Sequence, residues 1–274
     1  MLLPAIAVAE TSSAVDAFAA LEKRNGGRLG VAALDTASGR RLDHRSSERF
    51  PMCSTFKLLA VSAVLQRVDR GKEKLDRIIK YGKADLLEYA PVTRAHVGEG
   101  GMSVEALCAA AIELSDNTAA NLLLVELGGP HGVTRFARAI DDNVTRLDRN
   151  EPTLNTAIPG DVRDTTTPSA MLNDLSAVTL GRTALSKSSS ERMTRWLLGC
   201  KTAAARIPAG LPAGWRSGNK TGSGQNGTAN DVAIIWPSGR SPIFVAAYYT
   251  GSAAPDAERD AVLAEVGRIV AKTL

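Results

Sequence analysis

Aromatic residues are scarce in this sequence, and its basic residues form no cluster. Phe, Trp and Tyr together make up 4% of the 274 residues, which leaves little material for stacking against nucleic-acid bases. The net charge is +4, but the lysines and arginines are scattered along the chain without a run of five or more like charges. We therefore interpret the basic residues as a solvated surface and expect no nucleic-acid partner.

Cysteine and histidine are also rare, with 3 of each. Cys53, Cys108 and Cys200 do not have metal-ligand spacing, and the histidines are dispersed along the chain. The sequence therefore predicts no metal site and no other cofactor. Burial is the simplest expectation for Cys108 and Cys200.

Long apolar runs are missing as well, since no stretch of about 18 uninterrupted apolar residues occurs, and we expect no contact with a membrane. Residues 1–10 are apolar and small and end like a signal-peptide cleavage site, although they lack the basic start and the full length of such a peptide. We interpret this segment as the remnant of a signal peptide. The protein is accordingly expected to be periplasmic or secreted.

The overall composition is that of a folded protein with a substantial hydrophobic core. Hydrophobic residues make up 44% of the chain and charged residues 23%, as in ordinary soluble globular proteins. The chain is long enough for one large domain or for two lobes packed together.

The apolar spacing is typical of strands near both ends of the chain and of helices in its middle. Strands are predicted at residues 28–34, 41–44, 217–222, 229–236 and 243–250. Helices are predicted at residues 14–24, 55–70, 104–114, 118–127, 133–140 and 256–274. Two further helices are indicated by Thr167 before Pro168 and by a capping box of Ser188 with Glu191.

This order of elements predicts an α/β two-lobe (α+β) fold. Residues 11–53 and 204–274 would form one discontinuous lobe, an antiparallel sheet flanked by the N- and C-terminal helices. Residues 54–203 would form an inserted all-helical lobe that includes the loop 146–164. We expect the active site in the cleft between the two lobes.

Ser54 and Lys57 are the first candidates for chemistry. They begin an apolar helix at the i, i+3 spacing, which places the Lys57 amine beside the Ser54 hydroxyl and near the positive end of the helix dipole. Ser217 and Lys220 have the same spacing, but they lie in a glycine-rich turn or strand. Considered alone, Ser54 is as consistent with a helix cap as with a nucleophile.

Two polar clusters follow along the chain. Ser115-Asp116-Asn117 precedes a helix, so these residues can cap it, point polar groups into the cleft beside Lys57, or do both. Lys220-Thr221-Gly222 lies on a strand, where a glycine often marks the close approach of a ligand. Lys220, together with nearby hydroxyls, can bind a carboxylate.

Glu151 and Asn155 form a further pair, in the string Glu-Pro-x-Leu-Asn. A carboxylate and an amide four residues apart can hold one water between them and direct it at an ester. The alternative for Glu151, an acidic residue at a helix start, leaves Asn155 unexplained.

These four motifs, in this order, resemble those of the class A serine β-lactamases, and the resemblance covers nearly the whole chain beyond residue 10. The resemblance implies that Ser54 attacks a small-molecule β-lactam substrate to give an acyl-enzyme, and that water activated by Glu151 hydrolyses it. Ser115 would pass a proton to the departing ring nitrogen. Either Lys57 or Glu151 would be the acylation base, and the sequence leaves both open.

The resemblance also implies a set of substrate-binding residues and two oxyanion donors, the N–H groups of Ser54 and Ser223. Many relatives carry an arginine on the strand after Lys-Thr-Gly, but residues 227–231 contain none, and we expect Arg206 to substitute for it. The expected binding residues are Tyr89, Asn117, Asn155, Arg206, Lys220, Thr221 and Ser223.

Further details are expected from the same resemblance. It implies a cis bond before Pro152 and an Arg149–Asp164 ion pair that braces the loop, with a solvated Arg149 as the alternative. Cys53 resembles a cysteine that carbapenem-hydrolysing relatives use in a disulfide, but residue 224 is glycine, so that disulfide is not expected.

Two other functions share the first three motifs. The chain could be a D,D-peptidase of cell-wall synthesis, or a non-catalytic receptor domain that β-lactams acylate without release. The Glu151 and Asn155 pair favours the hydrolase. We expect a monomer that confers antibiotic resistance.

Overall fold

A five-stranded antiparallel sheet lies at the centre of the structure, a computed structural model that describes residues 4–180 and 184–274. Its strand order is β2-β1-β9-β8-β7. The strands of this sheet are β1 (Arg28–Asp35), β2 (Arg41–His44), β7 (Arg216–Gly224), β8 (Thr228–Trp236) and β9 (Ile243–Thr250). β2 and β9 begin and end at the predicted residues, and the other three extend by one or two residues beyond the prediction.

Helices cover both faces of this sheet. They are α1 (Pro4–Asn25), α2 (Phe56–Asp69), α3 (Val104–Glu113), α4 (Asn117–Glu126), α5 (His131–Ala139), α6 (Pro168–Thr179), α7 (Lys187–Leu198) and α8 (Asp256–Thr273). α1 begins well before its predicted start, so part of the segment 1–10 is helical, while residues 1–3 lie outside the described residues. No helix of the described chain has the length and apolar character needed to cross a membrane.

The side chains of β8 divide the core in two, because successive residues of a strand point to opposite faces of the sheet. Val232 packs in a core with Leu58 of α2 and other residues of α2 to α7. Ala233 packs in a second core with Phe18 of α1 and Val266 of α8. The predicted α/β two-lobe (α+β) fold is confirmed, whereas the residue limits of the lobes stay a prediction.

Two small sheets were missed by the sequence analysis because each strand has only two residues. β3 (Phe50–Pro51) pairs with β6 (Thr165–Thr166), and β4 (Ile78–Ile79) pairs with β5 (Met102–Ser103). The β3–β6 pair joins the segment just before Ser54 to the end of the loop 146–164. It thereby fixes the loop that carries Glu151 against the residues that carry Ser54.

The start of α7 corrects one prediction. Thr167 caps α6 as expected, but α7 begins at Lys187 and its cap is Ser186, not Ser188. The Ser186 hydroxyl contacts Ser189 N at 3.3 Å and donates to Asp69 Oδ1 at 2.6 Å. The tertiary contact with α2 therefore selects the cap among several neighbouring serines.

Asp174 of α6 is a buried carboxyl outside the cleft. It is 1% exposed, Asp142 beside it is 7% exposed, and an oxygen of each has no partner among the described residues. Burial and the neighbouring Asp142 raise the pKa of Asp174 well above its ordinary value. The folded state therefore holds a proton that the unfolded state loses at about pH 4.

Replacing Asp174 should consequently stabilise the protein at neutral pH. Because the folded-state pKa is raised, stability is lost as the pH rises through it, and Asp174→Asn removes that loss. We expect a gain of about 1–3 kcal/mol in the free energy of unfolding near neutrality and a smaller gain in acid. Urea unfolding at about pH 5 and about pH 8 measures it, with exposed Asp76→Asn as the control. An equal effect at both pH values would contradict the prediction.

Candidate active site

Ser54 lies in a 3₁₀ turn, Cys53–Thr55, that leads directly into α2. The turn places the Ser54 hydroxyl at the floor of the cleft with 9% of the residue exposed. Lys57 lies one helical turn later, and its Nζ donates to Ser54 Oγ at 2.9 Å. The spacing argument for this pair is confirmed. The other pair, Ser217 and Lys220, lies on β7 as the glycine-rich sequence indicated.

The Lys57 amine is completely buried and is surrounded by oxygen atoms. Besides Ser54, it contacts Ser115 O at 2.9 Å, Asn117 Oδ1 at 2.6 Å and Glu151 Oε1 at 2.8 Å. Burial lowers the pKa of Lys57, and the carboxylate of Glu151 opposes that shift. The amine is therefore poised to exchange a proton with its neighbours.

Glu151 completes the arrangement from the loop 146–164. Its residue is 4% exposed, and Oε1 accepts a hydrogen bond from Ser54 Oγ at 3.1 Å. Oε2 accepts from Asn155 Nδ2, while Asn155 Oδ1 is buried and has no partner among the described residues. The pair thus presents a carboxylate and an amide acceptor beside the nucleophile.

Asn121 of α4 is a site residue that sequence reasoning did not assign. Its Oδ1 accepts from Glu151 N at 3.0 Å and its Nδ2 donates to Glu151 O at 2.9 Å. The amide therefore fixes the backbone of Glu151 from both sides. The signal was available in the string Asp-Asn-Thr-Ala-Ala-Asn at residues 116–121, in which Asn121 lies one helical turn beyond Asn117.

An internal ion pair braces the loop that carries Glu151. Arg149 Nε contacts Asp164 Oδ2 at 2.5 Å, and the fully buried Asp164 also accepts the N–H groups of Asp148 and Arg149. The predicted ion pair is confirmed, and the alternative of a solvated Arg149 is wrong. The peptide bond between Glu151 and Pro152 is cis, as expected.

Ser115, Asp116 and Asn117 divide the two roles considered for them. Asp116 caps α4 by accepting from Ala119 N at 2.9 Å. Ser115 has a left-handed φ of 57°, and its Oγ lies 3.4 Å from Lys57 Nζ. Asn117 contacts the same amine, so Asp116 provides the cap while its two neighbours face the cleft.

Lys220 enters the same cluster from β7. Its fully buried amine donates to Ser115 Oγ at 2.9 Å and to Thr221 O at 2.8 Å. Burial, aided by the charge of Lys57, lowers the pKa of Lys220 to about 7. Ser115 therefore links two buried amines whose pKa values are both lowered from the ordinary value of a lysine.

Gly222 is required by a close approach of the protein's own backbone. A Cβ atom there would lie 2.7 Å from Met52 O. This contact corrects the expectation that the glycine makes room for a ligand. It instead allows β7 to pack against the turn that carries Ser54.

A cavity of about 300 Å³ opens above Ser54 and collects the expected substrate-binding residues. Thr202, another residue that sequence reasoning missed, contacts Thr221 Oγ1 at 2.5 Å. Lys57, Glu151 and Lys220 lie beneath this surface. The lining residues are Ser54, Tyr89, Ser115, Asn117, Asn155, Thr202, Arg206, Thr221, Gly222 and Ser223.

Arg206 reaches the cavity from a short turn before β7. Its guanidinium donates to Gly222 O at 2.9 Å, to Ser223 Oγ at 2.7 Å and to Asp260 Oδ1 at 2.8 Å. Residues 227–231, at the start of the strand after Lys-Thr-Gly, contain no arginine, and the structure brings Arg206 to the cavity wall instead.

The structure agrees with the expectations for Cys53 and Cys108 but not with that for Cys200. Cys53 and Cys108 are buried and free, and burial raises the pKa of both thiols. A Cβ atom at Gly224 would lie 2.6 Å from Cys53 Sγ, so the two positions are adjacent although glycine prevents a disulfide. Cys200 is only half-buried, which corrects its predicted burial. No group of three or more metal-ligating side chains occurs within residues 4–180 and 184–274.

The fold and these contacts define a class of enzyme, the serine hydrolases that use an amine and a carboxylate in place of a histidine triad. The chain belongs to the β-lactamase enzyme family, whose model matches residues 13–274. The β-lactamase CTX-M-8 of Citrobacter amalonaticus is 50% identical over 262 residues, covering 96% of this chain and 89% of the relative. AST-1 of Nocardia asteroides is 51% identical over 266 residues, covering 96% and 85%.

Solved structures give the same result. The ancestral (GNCA) class A β-lactamase is 60% identical with a TM-score of 0.93, covering 95% of this chain and 100% of that one. A putative class A β-lactamase, PenP from Rhodopseudomonas palustris, is 53% identical with a TM-score of 0.93, covering 96% and 100%. The predicted membership of class A is confirmed.

Asn121→Ala should slow the release of an acyl group from Ser54 more than its formation. The substitution removes two hydrogen bonds to the backbone of Glu151, which then loses its fixed direction toward the ester. We expect turnover to fall about ten- to a hundred-fold, with an adduct on Ser54 visible by mass spectrometry during turnover. Exposed Asn143→Ala is the control. An Asn121→Ala protein with wild-type turnover would show that Glu151 needs no such support.

Proposed function

We propose that the protein opens the β-lactam ring of penicillins and cephalosporins through an acyl-enzyme on Ser54, which water activated by Glu151 then hydrolyses. The observation that carries this proposal is the set of contacts around Ser54 Oγ. Lys57 Nζ lies 2.9 Å from this oxygen and Glu151 Oε1 lies 3.1 Å from it. Nucleophile and bases are thus in hydrogen-bond contact.

Acylation begins with attack of Ser54 Oγ on the carbonyl carbon of the ring. The hydroxyl proton passes to Glu151, or to Lys57 when that amine is neutral, and the 2.8 Å contact between the two lets them exchange it. Burial lowers the pKa of Lys57 and so favours the neutral amine. The N–H groups of Ser54 and Ser223 stabilise the developing oxyanion.

Ring opening then breaks the bond between carbonyl carbon and nitrogen. Ser115 gives its hydroxyl proton to the departing nitrogen and regains one from the amines beside it. Its Oγ lies 2.9 Å from Lys220 Nζ and 3.4 Å from Lys57 Nζ. This relay supports Ser115 as the general acid.

Deacylation uses Glu151 and Asn155. A water held by the Glu151 carboxylate and the Asn155 amide attacks the ester carbon, and Glu151 takes its proton. The bond between the carbonyl carbon and Ser54 Oγ then breaks, and this oxygen takes a proton back from Glu151, directly or through Lys57, which restores both the hydroxyl and the base. General-base help of this kind contributes about 10²–10⁴ in rate. That factor separates turnover from a stalled acyl-enzyme.

The remaining cavity residues bind the substrate. Asn117 and Tyr89 contact its acyl side chain, and Asn155 contributes to the same wall. Lys220, Thr221, Ser223 and Arg206 hold its carboxylate through charge-assisted hydrogen bonds. Hydrolysis in the periplasm or outside the cell, by a monomer, would confer resistance to β-lactam antibiotics.

Ser54→Ala should abolish both turnover and covalent labelling by a penicillin, because no other hydroxyl contacts both Lys57 and Glu151 in the described cleft. Ser217→Ala is the matched control, since that serine shares the spacing to a lysine but lies on a strand. Nitrocefin hydrolysis and intact-protein mass spectrometry measure the two effects. An adduct on Ser217, or labelling of the Ser54→Ala protein, would overturn the assignment.

Glu151→Ala should slow deacylation more than acylation. Ser54 can still transfer its proton to Lys57, whereas the ester has no other base. We expect a burst of about one product per enzyme followed by near silence, with the mass of the penicillin on Ser54. Asn155→Ala should do the same more mildly.

Nitrocefin hydrolysis also distinguishes the β-lactamase from the two alternative functions. Sustained nitrocefin hydrolysis by the wild-type protein agrees with a β-lactamase. One equivalent of product per wild-type protein would identify a D,D-peptidase or an acylated receptor. Turnover of the Glu151→Ala protein at the wild-type rate without an adduct would require a different hydrolytic base.

A further inference from the structure

Asp231 is a buried carboxyl that the proposed mechanism does not use. It lies on β8 opposite Thr221 of β7, and it is fully buried. Its neighbours Val232 and Ala233 pack on opposite faces of the sheet, so Asp231 shares the face of Ala233, which α1 and α8 cover. The carboxyl therefore lies behind the strand that carries Lys220, on the side away from Ser54.

The hydrogen bonds of the Asp231 side chain are all accepted from N–H groups. Asn219 Nδ2 donates to both carboxylate oxygens, at 3.0 and 3.1 Å, and Ile207 N donates to Oδ2 at 3.2 Å. A proton on this carboxyl would place an O–H group against N–H groups. These donors thus favour the ionised form, and a proton on Oδ2 would place an O–H group against the N–H of Ile207, the longest of the three contacts.

Ile207 directly follows Arg206, and Arg206 is fixed to β8 and to its neighbour β7. Its Nη1 donates to the carbonyl oxygen of Asn230 at 2.7 Å and to that of Gly222 at 2.9 Å. The turn that carries the guanidinium is therefore held by two consecutive residues of β8, one through its backbone and one through its carboxylate.

We propose that ionised Asp231 is a positioning residue that holds the Arg206–Ile207 turn where the guanidinium meets the carboxylate of the substrate. The inference rests on the proposed function. It makes recognition of the substrate's carboxylate sensitive to acid, through a group that touches neither substrate nor nucleophile.

Burial raises the pKa of Asp231 to about 6, while Asn219, Arg206, Ile207 and Lys220 oppose the rise. The charged groups around it are Arg206 from the turn, Lys220 from β7, and Asp260 of α8, which contacts Arg206. From β9, the residue opposite is Ala247. As the pH falls through about 6, Asp231 gains a proton and releases Ile207.

The test compares a penicillin with its methyl ester, because both need the same chemistry at Ser54 and only the free acid uses Arg206. Because both substrates react through the same steps at Ser54, the ratio of their kcat/KM values cancels the pH dependence of the chemistry itself. Lys220, whose pKa is lowered to about 7, gains charge on acidification and raises this ratio. Protonation of Asp231 should then lower it roughly three- to ten-fold between about pH 6.5 and about pH 5.

In the Asp231→Asn protein, the kcat/KM ratio should no longer fall as the pH is lowered. Near neutrality it should already be close to the ratio that the wild type shows at about pH 5. Asp174→Asn, which replaces another buried carboxyl, should keep the wild-type profile and controls for effects on folding. A wild-type ratio that does not fall in acid would overturn the proposal without any variant. An Asp231→Asn protein with the wild-type profile would also overturn it. If neither substrate is hydrolysed, the proposed function itself fails, which is a separate outcome.

Discussion

The burial of the Lys57 amine is the constraint on which the site depends. An ammonium group without solvent is unstable unless oxygen atoms surround it. Here they come from the turn before α2, from the turn before α4, from the first residue of α4 and from the loop 146–164. Each of these oxygens belongs to a group with a role in the proposed reaction. The same contacts that make the amine tolerable in the core therefore bring the nucleophile and the general base together.

Glu151, whose direction matters most in this cluster, lies on the loop 146–164, and several independent contacts make that loop rigid. The β3–β6 pair joins it to the chain before Ser54, the Arg149–Asp164 ion pair closes it, and Asn121 fixes the backbone of Glu151. A carboxylate held in this way keeps its direction as charge moves around it. Water activation requires that precision, because a misplacement of about 1 Å can reduce a rate by about 10².

Sequence reasoning succeeded where the cause was local. The strands 41–44 and 243–250 follow from apolar spacing, and the contact of Ser54 with Lys57 follows from helix geometry. It failed where tertiary contacts decide, as when Asp69 selects Ser186 as the cap of α7, or when Met52 explains Gly222. Thr202 was missed because a single hydroxyl outside any motif carries no signal, whereas the helical spacing of Asn121 from Asn117 was present in the sequence but was not interpreted.

The distribution of charge explains why this cleft suits an anionic substrate. Arg206 lines the cavity and Lys220 lies just beneath its surface, while the carboxylates that compensate them lie farther back, Asp231 on the opposite face of the sheet and Asp260 on α8. Among residues 4–180 and 184–274, Glu151 is the only carboxylate that contacts Ser54 Oγ, and it is paired with Lys57. In the proposed reaction, the carboxylate of the substrate meets donors at one end of the cleft while its carbonyl reacts at Ser54. Lys220 couples binding to chemistry, because the amine proposed to hold the substrate's carboxylate also donates to Ser115 Oγ at 2.9 Å, the hydroxyl that passes a proton to the leaving nitrogen.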